Sequence, residues 1–330
     1  MAGSRCHEFD LRKLQCPATW GSGHQALVGA EDCLEKLCIA ATPWAGVVER
    51  LKVAWSFWEN SRRAEATGLL VECYMRLLPQ QELHQNCDLI KDYRRALRLV
   101  LDSTWASMRA AVVSDKTDAD YLRRFIAAVE PASQLDNKQL SAVYALRGRL
   151  TTIREESKWF RKAIALNPEE GEWRHLLGWV IQEGRKCRGT PSSEEMKLLR
   201  DAYRLRKHPD TVLRLARSLT DCGPKSFPEA RTLVAEALQL YPDHPRVLSN
   251  VANILIRLEG LTSAGLRQIR SLYQRTQDVV GERAFIQMKL ATVCLSTGEK
   301  AQAQKHFDTA MRLNPSACAQ FAVTYGHLMS

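Results

Sequence analysis

The chain contains no Cys-x-x-Cys, and it lacks the two closely spaced ligand pairs that a structural zinc site requires. Its ten cysteines stand at positions 6, 16, 33, 38, 73, 87, 187, 222, 294 and 318. The nearest pair, Cys33 and Cys38, has no matching Cys or His pair nearby. At 330 residues the chain is too large to depend on disulfide staples, so buried, reduced thiols are expected. No run of about 18 apolar residues occurs, which argues against a transmembrane helix and a membrane partner. The first twenty residues hold no apolar signal core, so a cytoplasmic rather than a secreted protein is expected. Glycine and proline are sparse, 17 and 12 residues, which favours long helices over many short strands.

Catalytic signatures are missing as well. There is no phosphate-cradling Gly-rich loop ending in Gly-Lys-Ser/Thr, no Gly-x-Ser-x-Gly elbow and no His-Glu-x-x-His. Glu172 and His175 have the i, i+3 spacing of a di-iron bundle, but no second Glu-x-x-His exists. A solvated helix face is the expectation for that pair. The sequence therefore predicts no enzyme, no cofactor and no metal.

What is present is ordinary core-forming material and an excess of positive charge. Apolar residues make up 45% and charged residues 25%, which excludes a disordered chain. Lysine and arginine number 47 against 37 acidic residues, a net +10.

The chain also repeats. WFRKAIALNPEE places Phe160, Ala163 and Pro168 at separations of three and five. LVAEALQLYPDH gives Val234, Ala237 and Pro242 the same spacing, and HFDTAMRLNPSA gives it to Phe307, Ala310 and Pro315. The prolines are 74 and 73 residues apart, about two periods of the 34-residue tetratricopeptide repeat. Small residues such as Ala252, Ala264, Ala291 and Ala303 let paired helices approach, and each proline stops a second helix. Phe160 and Phe307 are expected to fill the groove against the next repeat, and Gly298 to turn the chain between helices. The fold class predicted is all-α, a tetratricopeptide-repeat superhelical solenoid of helix-turn-helix units. Residues 137–330 form the regular array, and residues 1–136 form an N-terminal helical region of degenerate pairs continuous with it. In that region Ala54 and Ala66 are the small positions, and residues 91–130 read as a further pair. Loops are expected at 79–86, 131–137, 186–193 and 221–228.

Residues 185–217 hold ten basic side chains opposed only by Glu194, Glu195, Asp201 and Asp210, a net +6. Such a window is either a solvated helix surface or a phosphate-attracting wall. First helices of tetratricopeptide pairs line the concave face, and the template points His175 and Trp179 inward, followed by Arg217, Arg246, Asn253 and Arg257. Guanidinium groups beside an aromatic ring suit single-stranded RNA, whose phosphates pair with Arg and whose bases stack. Repeat packing is the competing explanation of Trp179. All eight tryptophans lie at or before Trp179, so stacking must come from the N-terminal side.

These residues resemble the interferon-induced proteins with tetratricopeptide repeats, the IFIT family. In LRKLQCPATW, Cys16, Thr19 and Trp20 match the family's opening Cys-His-Phe-Thr-Trp, whereas Pro17 and Ala18 do not. Gly178, Trp179 and Arg185 occupy the places of the family's central Gly-Tyr/Phe pair and the Arg seven residues after the Gly. KCRGTPSSEEMKLLRDAYRL follows as its inserted loop and helix. The resemblance implies a cytosolic, interferon-induced protein of innate antiviral defence without enzymatic activity. It would bind single-stranded RNA 5′ ends in a positively charged groove. It carries an RNA-contacting Arg onto Arg185 and a basic position beside the stacking Trp onto Arg147. The stacking position falls at Val143 or Tyr144, and a later contacting Arg falls at Asn250. Family members run longer, so a divergent or C-terminally shortened member with an open groove is implied. Members associate, which makes homo- or hetero-oligomers with related repeat proteins a further expectation. The candidate contacts are thus Arg147, Arg185, Arg217, Arg246 and Arg257 for phosphate, with Tyr144, Trp179 and His175 beside them. The alternative is an adaptor whose groove holds a peptide or protein; a mixed or negative groove favours it, and a contiguous positive one favours RNA.

Overall fold

A computed structural model describes residues 9–20, 33–34, 36–40, 42–78, 89–151, 153–185, 189–316 and 318. Among the described residues there are helices and no strand. The chain divides into two compact units, Met1–Leu37 with Thr42–Val180, and Cys38–Ala41 with Ile181–Ser330.

The first unit is built of helical hairpins: α1 (Pro43–Glu59) with α2 (Arg63–Leu77), α3 (Arg94–Ala110) with α4 (Lys116–Ala128), and α5 (Asn137–Leu150) with α6 (Ile153–Leu166). Helix starts follow local chemistry. Thr42, Asp115 and Asp136 each cap a helix by accepting a backbone N–H with the side chain. Ala54 and Ala66 are fully buried where α1 meets α2, as their size predicts. Phe160 is fully buried. Its ring lies against Gly148 of its own hairpin, where an added Cβ would stand only 2.8 Å from the ring. Glycine at 148 is what lets α5 and α6 close on that phenyl group. Trp44, Tyr93 and Trp173 form a buried aromatic cluster with ring centroids 5.2 to 6.0 Å apart. Two of its polar atoms are paired: Trp173 Nε1 donates to Ser141 Oγ and the Tyr93 hydroxyl donates to Glu170. The compact units part between Val180 and Ile181, and within the first unit α5 packs on α3 and α1.

Helix α7 (Gly171–Gly184) carries that boundary. The second unit continues with α8 (Ser193–Leu205), then α9 (Pro209–Asp221) with α10 (Phe227–Leu240), α11 (Pro245–Glu259) with α12 (Ser263–Val280), and α13 (Ala284–Ser296) with α14 (Lys300–Leu313). One apolar core runs from Leu199 to Val293 through these pairs. Ala237, Ala252, Ala291, Ala303 and Ala310 are fully buried, as Ala163 is in the first unit. Ala264 is exposed, and its neighbour Gly265 takes the buried place on α12. Phe307 is half-buried against Ala291, Cys294 and Ala303. Pro168, Pro242 and Pro315 fall just after α6, α10 and α14, while Pro209 and Pro245 open α9 and α11. Two of the expected loops lie wholly or partly outside the described residues, at 79–86 and 186–188.

Cys16, Cys73 and Cys294 are buried free thiols, Cys318 is buried as well, and burial holds the Cys73 thiol up at about 12. Glu172 and His175 correct the expectation of a solvated face: both are buried, because that side of α7 faces the protein interior. Among the described residues no helix is long and apolar enough to cross a membrane.

Candidate nucleic-acid interface

The first helices of successive pairs in the second unit share one face, and along it lies an open recess of about 400 Å³. Helix α9 contributes Asp210, Leu213, Arg214 and Arg217; α11 contributes Arg246, Asn250, Asn253, Ile254, Ile256 and Arg257; α13 contributes Lys289. Arg217, Arg246, Asn253 and Arg257 therefore come together as the repeat template predicts. Lys289 was not singled out in the sequence, although it sits on the next first helix and could have been found by extending the template one repeat. Among the described residues no aromatic ring lines the recess.

The arginines are held by carboxylates one repeat away. Arg246 Nε donates to Asp210 at 2.7 Å, and Arg257 pairs with Asp221. Arg214 donates to Glu183 at 2.9 Å and Arg217 stands 3.9 Å from the same carboxylate. Burial draws Arg214 down to about 10, helped by its cationic neighbours Arg246 and Arg217 and opposed by Asp210 and Glu183. It stays charged at neutral pH. The recess is thus cationic in excess but mixed.

Much of the basic window is likewise paired. Arg200 makes two bonds to Glu229, and Lys207 bonds Glu236 at 2.9 Å. Lys186 and Arg188 lie outside the described residues. Arg185 is set behind the recess, with a side chain only 14% exposed. Its Nε donates to Glu195 at 2.9 Å and its Nη2 to Asp221 at 2.7 Å. Hydrogen bonding to Glu195 is the main reason its pKa rises further.

The first unit gathers a second group of predicted residues. Tyr144 stacks on Trp159 at 5.7 Å and 20°, and the Arg147 guanidinium lies 3.7 Å from the Trp159 ring centroid. Lys162 and Lys158 approach the same ring at 4.7 and 5.2 Å, and Trp20 lies 5.9 Å from Arg147. Among the described residues no carboxylate forms an ion pair with Arg147, and its buried Nε has no hydrogen-bond partner. Burial lowers its pKa, with Glu155 acting the other way. Trp159 was missed in the sequence, where only its spacing across the hairpin turn from Tyr144 and Arg147 could have revealed it. Val143 is buried. Trp179 is half-buried under Arg149, whose guanidinium stands 4.0 Å from its ring, and Arg149 pairs with Glu49. Repeat packing therefore accounts for one face of Trp179, and His175 is buried beside it on α7.

No family model and no curated relative matches the sequence. Solved structures do match. A human IFIT1 dimer with m7Gppp-AAAA aligns at a TM-score of 0.66 and 16% identity, covering 92% of this chain and 70% of that chain. A monomeric IFIT1 mutant with Gppp-AAAA gives 0.69 at 16% identity over the same shares. Another monomeric mutant with m7Gppp-AAAA gives 0.68 at 15%. The fold is the tetratricopeptide-repeat fold. At this identity the likeness concerns the fold alone.

Proposed function

We propose that this chain is a non-enzymatic protein that binds single-stranded RNA through the recess of its second unit. The observation carrying the reading is convergence of five cations, Arg214, Arg217, Arg246, Arg257 and Lys289, on a recess where Asp210 alone among the described lining residues is a carboxylate. Cations from the first helices of three successive pairs suit a chain of regularly spaced phosphates. The fold shared with IFIT1 structures holding m7Gppp-AAAA and Gppp-AAAA supports this. In the first unit Arg147 is the candidate contact for a terminal phosphate, with Tyr144 beside it as a stacking surface. A cytoplasmic, interferon-induced antiviral role, with related repeat proteins as partners, belongs to the same proposal through the sequence resemblance. Viral growth in cells lacking the protein tests that part.

The decisive measurement is fluorescence anisotropy of a short oligoadenylate across a salt series. Three or four phosphate contacts should give a slope of log affinity against log salt between about −2 and −3. No binding at low salt overturns the reading. A peptide adaptor is the second reading, favoured by the mixed charge of the recess, whose arginines pair with Glu183, Asp210 and Asp221, and by Asn250 and Asn253 with Leu213, Ile254 and Ile256 in the same lining. Amides both donate to and accept from an extended backbone. Binding of peptides but not RNA would select it.

A further inference from the structure

A continuous chain of polar side chains runs behind the recess and joins two of its arginines. Arg257 pairs with Asp221, and Asp221 accepts from Arg185 Nη2. Arg185 Nε and Nη2 donate to Glu195, and Glu195 also accepts from Ser218 Oγ at 2.6 Å. Ser218 Oγ accepts from Gln182 Nε2 at 2.7 Å, and Gln182 Oε1 accepts from Arg214 at 2.9 Å. Gln182, Glu195 and Ser218 are fully buried. Arg257 and Arg214 line the recess; Arg185 and Glu195 do not.

We propose that Arg185 is a positioning residue for anion binding in the recess: through Asp221, and through Glu195, Ser218 and Gln182, it fixes Arg257 and Arg214. The inference rests on the RNA reading and departs from the direct phosphate contact that the sequence resemblance assigns to Arg185. The physical basis is the guanidinium fork. Arg185 bridges two carboxylates at once and donates to the Gly189 carbonyl at 3.2 Å, which a point-charge ammonium cannot reproduce. Long arginines held by such a frame lose less rotamer freedom when they bind a phosphate.

Three variants separate positioning from contact and from charge. Arg185→Lys preserves a direct phosphate contact but breaks the fork, so a positioning role predicts a loss of about tenfold in RNA affinity. Glu195→Gln removes a buried negative charge behind the recess. Charge alone predicts equal or tighter binding, whereas positioning predicts weaker binding with little change in salt slope. The third test is coupling: in an Arg257→Ala, Arg214→Ala background, Arg185→Lys should cost less than about twofold more. Removing Arg185 outright risks unfolding by stranding Glu195, so circular dichroism qualifies every variant. Tighter binding by Glu195→Gln, or additive losses with Arg257→Ala and Arg214→Ala, overturns the inference. If the wild-type protein binds no RNA, the functional reading fails instead. The frame is then read by ¹⁵N relaxation of the Arg257 Nε–H group, expected ordered in the wild type and mobile in Glu195→Gln. Unchanged mobility there overturns the positioning role by itself.

Discussion

The two units hold their cations by different means. In the first, Arg147 lies on Trp159, near Trp20, with no carboxylate ion pair among the described residues. In the second, Arg246, Arg257 and Arg214 each bond a carboxylate from an adjoining repeat, and no ring among the described residues lines the recess. An aromatic platform orients a guanidinium while leaving its net charge uncompensated. A carboxylate orients it more firmly but cancels part of the field that draws an anion in. The first arrangement favours a single strong contact, the second several pre-aimed weaker ones.

The largest expected effect breaks the platform. Trp159 is buried, so Trp159→Ala should cost about 3–5 kcal/mol of stability, by thermal or denaturant unfolding. A cost under about 1 kcal/mol would mean that the ring is not the support of Arg147 and the α5–α6 hairpin. Gly148→Leu attacks the same hairpin from the other side. Its side chain must displace the Phe160 ring, and overpacking of that kind costs roughly 1–3 kcal/mol.

In the second unit the sharpest variant is Arg217→Ala. Its side chain is more exposed than those of Arg214 and Arg246, so the fold should be less affected than by removing either of those. The salt slope of RNA binding should flatten by about 0.7, one contact's worth, irrespective of RNA sequence. Trp179→Ala supplies the contrast. If Trp179 only packs under Arg149, its loss lowers stability and leaves RNA affinity unchanged; an affinity loss of about 1–3 kcal/mol would restore it as a stacking surface. A smaller stability effect concerns how the recess helices begin. His244 caps α11 by accepting the Arg246 N–H on Nδ1, so His244→Ala should cost about 0.5–2 kcal/mol.

The helical pairs were legible because their signals are local: alanines three residues after Phe160, Val234 and Phe307, and prolines five further on. Template phase also placed Arg217, Arg246, Asn253 and Arg257 on one face, since first helices repeat their orientation. The electrostatics of the basic window were not legible by the same method. Counting charge within residues 185–217 finds four acids, but the partners of Arg200, Lys207 and Arg185 include Glu229, Glu236 and Asp221, 29 to 36 residues away. Solenoid stacking brings together residues one repeat apart. A search for opposite charges at repeat spacing, rather than in a sliding window, would have exposed the ladder and the true place of Arg185. Glu172 and His175 misled for a related reason. Their i, i+3 spacing marks one helix face, but only the neighbouring helices decide whether that face is wet.

The smallest expected effect tests how the first unit tolerates charge in its interior. Glu156 on α6 is buried, and burial raises its pKa although Arg149 and Lys52 pull the other way and Glu49 adds to the rise. A carboxyl whose folded pKa lies above its unfolded value favours the folded state in its protonated form. That contribution is fully present below the unfolded pKa and is lost as pH rises through the folded one. Glu156→Gln keeps the shape and removes the titration. The variant should therefore melt higher than the wild type at neutral pH, with the difference vanishing toward acid pH below the ordinary carboxylate range. Arg149→Met in the same background reverses the balance of charges around Glu49 and should narrow that gain. If Glu156→Gln instead melts lower at neutral pH, the carboxylate is stabilised by Arg149 and Lys52 more than burial opposes it. The cluster under Trp179 would then be held by ion pairing, as the second unit's recess is.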